Sequence, residues 1–146
     1  MLKFIKLDIL WMVKVSFVFV MLQFFIDVAP MSLNNAYNSN REGRRFLTAK
    51  GRFYKNSIAW AAKSAMSAHP VFQDPIEIHF QFFYPDNRKR DLDNSIKLTL
   101  DSLVGICFED DSEIVKIIAE KKIDKINPHI CISIQQLKYP NPNILK

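Results

Sequence analysis

Alternation of apolar and polar residues is clearest from Ile76 to Phe83, where Ile76, Ile78, Phe80 and Phe82 interleave with Glu77, His79 and Gln81. A period of two predicts a half-buried β-strand, and Tyr84-Pro85-Asp86-Asn87 reads as the turn that ends it. Two more strands are predicted over Glu113–Lys121 and Pro128–Gln135, the second alternating Ile130, Ile132 and Ile134 with Cys131 and Ser133. Helical spacing replaces alternation in two places. After Thr48, a residue suited to capping, Tyr54, Ile58, Ala61 and Ala65 recur on one face to about Met66, with Lys50, Arg52, Lys55 and Lys63 mostly off it. From Asp93 or Asn94 to Val104, the positions Ile96, Leu100, Leu103 and Val104 form an apolar stripe, and Gly105 follows as a stop.

The start of the chain supports two readings. Ile9 to Ile26 is apolar except for Lys14 and Gln23, long enough for a marginal membrane helix, although the charge at Lys14 weighs against one. Leu22 to Val28 also reads as a strand, with Phe24, Ile26 and Val28 on one face and Gln23, Phe25 and Asp27 on the other. A strand there cannot also lie in a bilayer core as helix, which favours residues 1–20 as an extension outside the fold and the cytoplasm as the location. A signal peptide fits poorly, because proline follows the small residues of Val28-Ala29-Pro30. Ala29 to Phe46 is polar and reads as a loop. The expected architecture is therefore α+β: a single domain over residues 21–138 in the order β-α-β-α-β-β. It has a mixed sheet, helices packed on it, a final antiparallel strand pair and a loose tail over residues 139–146.

Composition narrows the class. With 146 residues, 49% hydrophobic and 24% charged, the chain suits one globular domain and neither disorder nor a fibrous repeat. Its net charge of +5 and pI of about 9.2 favour a polyanionic partner. Cys107 and Cys131 lie in no metal-binding spacing and read as reduced packing residues, and His69, His79 and His129 share no spacing that suggests ligands.

The candidate chemistry lies in Arg88-Lys89-Arg90-Asp91-Leu92-Asp93-Asn94-Ser95-Ile96-Lys97 and, after the predicted helix, in Glu109-Asp110-Asp111. Asp91 and Asp93 are two apart as the chain enters a helix, so their side chains leave the same side of the backbone, and Lys97 follows Asp93 by one helical turn. If Asp111 joins them, the gathered negative charge needs a cation or raised pKa values. An all-carboxylate set without His or Cys suits Mg2+, which takes oxygen ligands and keeps several waters. Such an ion activates water and offsets charge in phosphoryl displacement, while Lys97 steadies the same charge. Arg88, Lys89 and Arg90 would hold flanking phosphates. Each residue alone has a plainer account: Asp93 as an N-cap, Asp93 and Lys97 as a surface pair, and both charged triplets as solvated turns.

The joint pattern Arg90-Asp91-Leu92-Asp93-Asn94, Lys97, Leu100-Asp101, Leu103, Gly105, Glu109-Asp110-Asp111 and Ile114 resembles the signature of the RusA family of Holliday-junction resolvases. Pro30-Met31-Ser32-Leu33-Asn34-Asn35-Ala36-Tyr37 is similar to that family's loop after the first strand, so the likeness spans about residues 22–136. The resemblance implies a homodimeric, Mg2+-dependent endonuclease that nicks opposed strands of four-way junction DNA, a kind of protein often carried by prophages. By position it implies Asp91, Asp93 and Asp111 as metal ligands, with Asp110 ranked next, Lys97 as the catalytic lysine and Asp101 in support. The apolar residues before Met21 have no counterpart in the family pattern. Expected DNA contacts are Arg41, Arg44, Arg45, Lys50 and Arg52 near the first helix, with Arg88, Lys89 and Arg90 beside the metal. The competing readings are a DNA-binding protein without activity, a membrane-anchored interaction protein and a nuclease for flaps or forks.

Overall fold

The structure, a computed structural model, describes residues 21–137. The predicted extension over residues 1–20 and the predicted tail over residues 139–146 lie outside the described residues. Strand β1 (Met21–Ile26) is followed by a short helix α1 (Leu33–Ala36), a hairpin of β2 (Tyr37–Ser39) and β3 (Arg45–Leu47), and the long helix α2 (Ala49–Ala65). Strand β4 (Ile76–Tyr84), helix α3 (Leu92–Asp101), a 3₁₀ turn at Asp111–Glu113, β5 (Ile114–Ile123) and β6 (His129–Gln136) complete the chain.

One mixed sheet runs β1-β6-β4-β5, antiparallel at β1/β6 and β6/β4 and parallel at β4/β5. Strand β4 is its centre because the alternation read from sequence buries Ile76, Ile78, Phe80, Phe82 and Tyr84 on one face, where α2 and α3 cover them. Of the predicted strand Leu22–Val28, residues 22–26 are in the sheet, Phe24 and Ile26 facing the core and Gln23 and Phe25 facing out, and the strand ends before Asp27. No described helix is long and apolar enough to cross a membrane.

The expected final antiparallel pair is incorrect. Strands β5 and β6 are not neighbours: β4 lies between them, and the connection passes over its end, where Asp124 N donates to Tyr84 O at 2.8 Å. Burial explains the exchange. Strand β6 buries Ile130, Cys131, Ile132 and Ile134 and so takes an interior place, whereas β5 carries Lys116, Glu120, Lys121 and Lys122 and stays at the edge.

The segment from Ala29 to Phe46 is also more ordered than a loop, containing α1 and most of the β2–β3 hairpin. Its place is set at the start of α2, where Thr48 accepts a hydrogen bond from Gly51 N at 3.0 Å and donates its hydroxyl to Ala36 O at 3.0 Å. Gly51 packs directly on the Ala36 carbonyl, and a Cβ at that position would collide with it. Helix α2 buries Tyr54, Ile58 and Ala62, so the stripe lies one residue from the predicted Ala61 and Ala65, which are half-buried. Both cysteines are free and buried, and burial pushes the Cys107 thiol up to about 12.

Candidate active site

Helix α3 starts one residue earlier than expected and ends at Asp101, with the chain turning through Ser102 and Gly105 at φ 78°. Its inner face also differs from the expected stripe. Ser95, Leu98, Thr99 and Leu100 are buried, Ile96 is half-buried and Val104 is exposed. Buried hydroxyls need partners, and these find them. Tyr84 Oη and Ser95 Oγ lie 2.7 Å apart, Thr99 Oγ1 donates to Ser95 O at 2.8 Å, and Tyr54 Oη lies 2.8 Å from Thr99 Oγ1. This chain of hydroxyls ties α3 to β4 and α2. Burial raises the pKa of Tyr54 to about 12 and shifts Tyr84 upward, so both stay neutral.

With that face fixed inward, the opposite one presents Asp93 and Lys97 to solvent. Asp91 occupies the N-cap position with φ −79° and ψ 119°, yet its side chain makes no capping hydrogen bond. Asp93, rather than being the cap, sits in the first turn. Lys97 Nζ lies 2.8 Å from Asp101 Oδ1 and 3.7 Å from Asp111 Oδ2. These carboxylates raise its pKa, Asp101 contributing most, so the amine is held charged.

The acidic turn separates the roles of its residues. Asp110 caps the 3₁₀ turn by accepting from Ser112 N at 2.8 Å, and that hydrogen bonding lowers its pKa. Asp111, one residue on, is the one that faces Lys97. The structure thus brings Lys97, Asp101 and Asp111 together, while Asp91 and Asp93 are exposed at the start of α3. Among the described residues, no three His, Cys, Asp or Glu side chains converge into a ready-made metal cage. The donor chemistry nonetheless suits a hard divalent ion: the groups are carboxylates, Asp91 is not consumed by capping, and a cationic amine already bridges Asp101 and Asp111.

The basic residues fall into different settings. Arg90 Nη1 lies 2.7 Å from Asp86 Oδ1 and donates to Asp86 O at 3.2 Å, its guanidinium stands 4.8 Å over the Tyr84 ring, and its carbonyl accepts from Lys121 Nζ at 3.0 Å. It clamps the turn that leads to Asp91. Arg88 reaches the same Asp86 at 3.6 Å but is largely exposed, as is Lys89. Arg44 touches Glu42 at 3.8 Å, and Arg45 stands 5.4 Å over Tyr37, both on the exposed β2–β3 hairpin beside the exposed Arg41. Lys50 shares a groove with Pro30, Asn35 and Arg90, whereas Arg52 is simply exposed on α2.

The sequence reading did not single out the cleft beside Asp91. Ser32, Asn34 and Asn35 face Lys89, Asp91 and Asn94 across it, so α1 supplies one wall and the start of α3 the other. The asparagines of the Pro30–Tyr37 stretch were the available signal, hidden by reading the segment as loop.

Comparison with known proteins finds related sequences. The family profile described as endodeoxyribonuclease RusA matches residues 27–135. The crossover junction endodeoxyribonuclease RusA of Escherichia coli K12 is 37% identical over 87 residues, covering 59% of this chain and 71% of that protein. The enzyme of the same name from Enterobacteria phage 82 is 36% identical over 87 residues, with the same coverage. That of Shigella sonnei likewise shows 36% identity.

Proposed function

Since the chain belongs to the RusA family of endodeoxyribonucleases and is a crossover junction endodeoxyribonuclease, we propose that it resolves four-way DNA junctions by paired, Mg2+-dependent nicks. The observation that carries this reading is Lys97 held between Asp101 and Asp111 on the helix whose start bears Asp91 and Asp93. Asp91, Asp93 and Asp111 would hold the ion, with Asp110 adjoining. When bound, Mg2+ supplies an activated water and offsets charge on the scissile phosphate.

The chain's own groups do the rest. Arg90 fixes the turn before Asp91, and the hydroxyl chain through Ser95 and Thr99 fixes the helix, so the carboxylates are oriented before DNA arrives. Lys97, drawn from Asp101 and Asp111 toward the phosphate, steadies the charge that develops there. Lys89 and Arg88 beside the site, with Arg44, Arg45, Lys50 and Arg52 farther along, hold flanking phosphates and confer salt-dependent affinity. Two opposed cuts require two such sites related by a twofold axis, hence a homodimer. The catalytic unit is residues 21–138, with 1–20 and 139–146 outside it, and it acts on DNA in the cytoplasm.

Cleavage of a synthetic four-way junction tests the reading, using the protein and its Asp93→Asn variant with Mg2+ or EDTA and linear duplex as control. Symmetric nicks that need both Mg2+ and Asp93 are expected. A folded protein that binds the junction and never cuts it would instead be a branched-DNA-binding protein.

A further inference from the structure

Helix α2 buries Gly51, Tyr54, Ile58 and Ala62, and the side opposite them carries Phe53, Asn56, Trp60 and Lys63, spaced three, four and three apart. Phe53 is 66% and Trp60 75% exposed. Single apolar side chains at a surface are ordinary, whereas two large aromatics in line on one solvated helix face are not. The helix itself gains nothing from them, since alanine or a long straight side chain has the higher helix propensity there. Their faces are also open. Tyr37, Phe83 and Tyr84 each have a cation of the chain over the ring, but none stands over Phe53 or Trp60 among the described residues.

The surroundings favour a polyanion. Helix α2 holds Lys50, Arg52, Lys55 and Lys63 and no acidic residue. Arg52 and Lys63 lie along one flank of the aromatic stripe. Lys50, at its start, shares a groove with Asn35, and Asn35 also lines the cleft beside Asp91, so one surface runs from the candidate active site to the two rings. We propose that Phe53 and Trp60 stack on DNA bases left uncovered at a branch point, while the cations of α2 hold the neighbouring phosphates. The idea deepens the junction-nuclease reading and rests on it for its substrate. A paired arm keeps base faces inside its own stack and offers a protein only edges and phosphates. At a branch point the stack is interrupted, and an exposed ring can cover the freed face. The two rings are roughly 10 Å apart along the helix, about three base steps, so each meets a different base. Every base has a face to stack on, so the stripe selects branched over linear DNA with little regard for sequence. A membrane surface would need a wider apolar face than two rings separated by Asn56 and flanked by Ser57, Ser64 and Lys63.

Intrinsic fluorescence of the full chain tests the stripe, because Trp11 and Trp60 are its two tryptophans and Trp11→Phe leaves Trp60 as the sole reporter. In EDTA, where no strand should be cut, a saturating synthetic four-way junction should quench Trp60 emission by about half or more, and saturating linear duplex should leave it nearly unchanged. Phe53→Leu combined with Trp60→Leu, checked for folding by circular dichroism, should raise the junction dissociation constant about tenfold or more without changing its salt slope. Trp60→Phe alone should keep most of the affinity. Unchanged emission at saturating junction, equal quenching by duplex, or full affinity in the double leucine variant would each overturn the proposal. So would a blue shift on phosphatidylserine vesicles without a response to the junction, which would assign the stripe to a membrane surface. Nicking in Mg2+ measured in parallel separates the two readings. A chain quenched by the junction that never nicks leaves the stacking surface standing and removes the nuclease mechanism, whereas one that nicks while the leucine variant binds as well as the unaltered chain does the reverse.

Discussion

Two arginine-rich turns look alike along the chain and differ in the fold. The Arg41–Arg45 segment lies in the exposed β2–β3 hairpin, where Arg44 meets only Glu42 at 3.8 Å and is 84% exposed. In the Arg88–Arg90 segment, Arg90 is 24% exposed and closed onto Asp86 at 2.7 Å, over the Tyr84 ring. The first turn leaves its charge at the surface. The second uses its best-placed charge on its own backbone, to hold the residues before Asp91 still. Identical residue types thus stay exposed in one place and hold the chain's own turn in the other, and proximity to an acceptor decides which.

The largest test of this contrast is Arg90→Ala against Lys89→Ala. The first should lower the nicking rate at saturating protein by roughly a hundredfold, since it frees the turn that aims Asp91. The second should leave that rate near normal, weaken junction binding and reduce its salt slope by about 1. Equal effects on rate would erase the distinction. Next in size is Tyr84→Phe, which leaves Ser95 Oγ without its partner under the Arg90 clamp. It should cost about 1–2 kcal/mol in urea unfolding.

Replacing Arg44 and Arg45 together by alanine should leave the unfolding midpoint nearly unchanged while lowering the salt slope of junction binding by about 1 for each phosphate no longer neutralised. A large drop in stability would show the hairpin arginines to be structural after all. The smallest effect concerns acid. Arg90 and the Arg88 amide hold the Asp86 carboxyl down at about 2, below the ordinary 3.8. A depressed folded pKa contributes stability above the ordinary value and loses it as pH falls toward the folded one. The urea midpoint should therefore decline from about pH 4 to about pH 2, and Asp86→Asn should flatten that part of the curve.

Much of this fold is legible in local pattern. The alternation from Ile76 to Phe83 marks β4, that of Ile130, Ile132 and Ile134 marks β6, and Thr48 marks the start of α2. Less legible was the inner face of α3. Its buried positions include Ser95 and Thr99, which read as polar until Tyr84 and Tyr54 are found opposite them. Hydropathy alone therefore rotated the expected stripe toward Val104, which is exposed. The α1 segment escaped notice for a related reason: one short turn of helix has too few residues for a period to show.

What the chain determines by itself is spacing. Asp93, Lys97 and Asp101 at successive intervals of four fall along one side of α3, because helix geometry is local. Tertiary structure decided which of these groups meet. It brought Asp111 to Lys97 and laid Tyr84 and Tyr54 against Ser95 and Thr99. It also set β6 between β1 and β4 and left β5 at the edge. Those outcomes depend on contacts between residues far apart in the chain, where burial and pairing in three dimensions outweigh local preference.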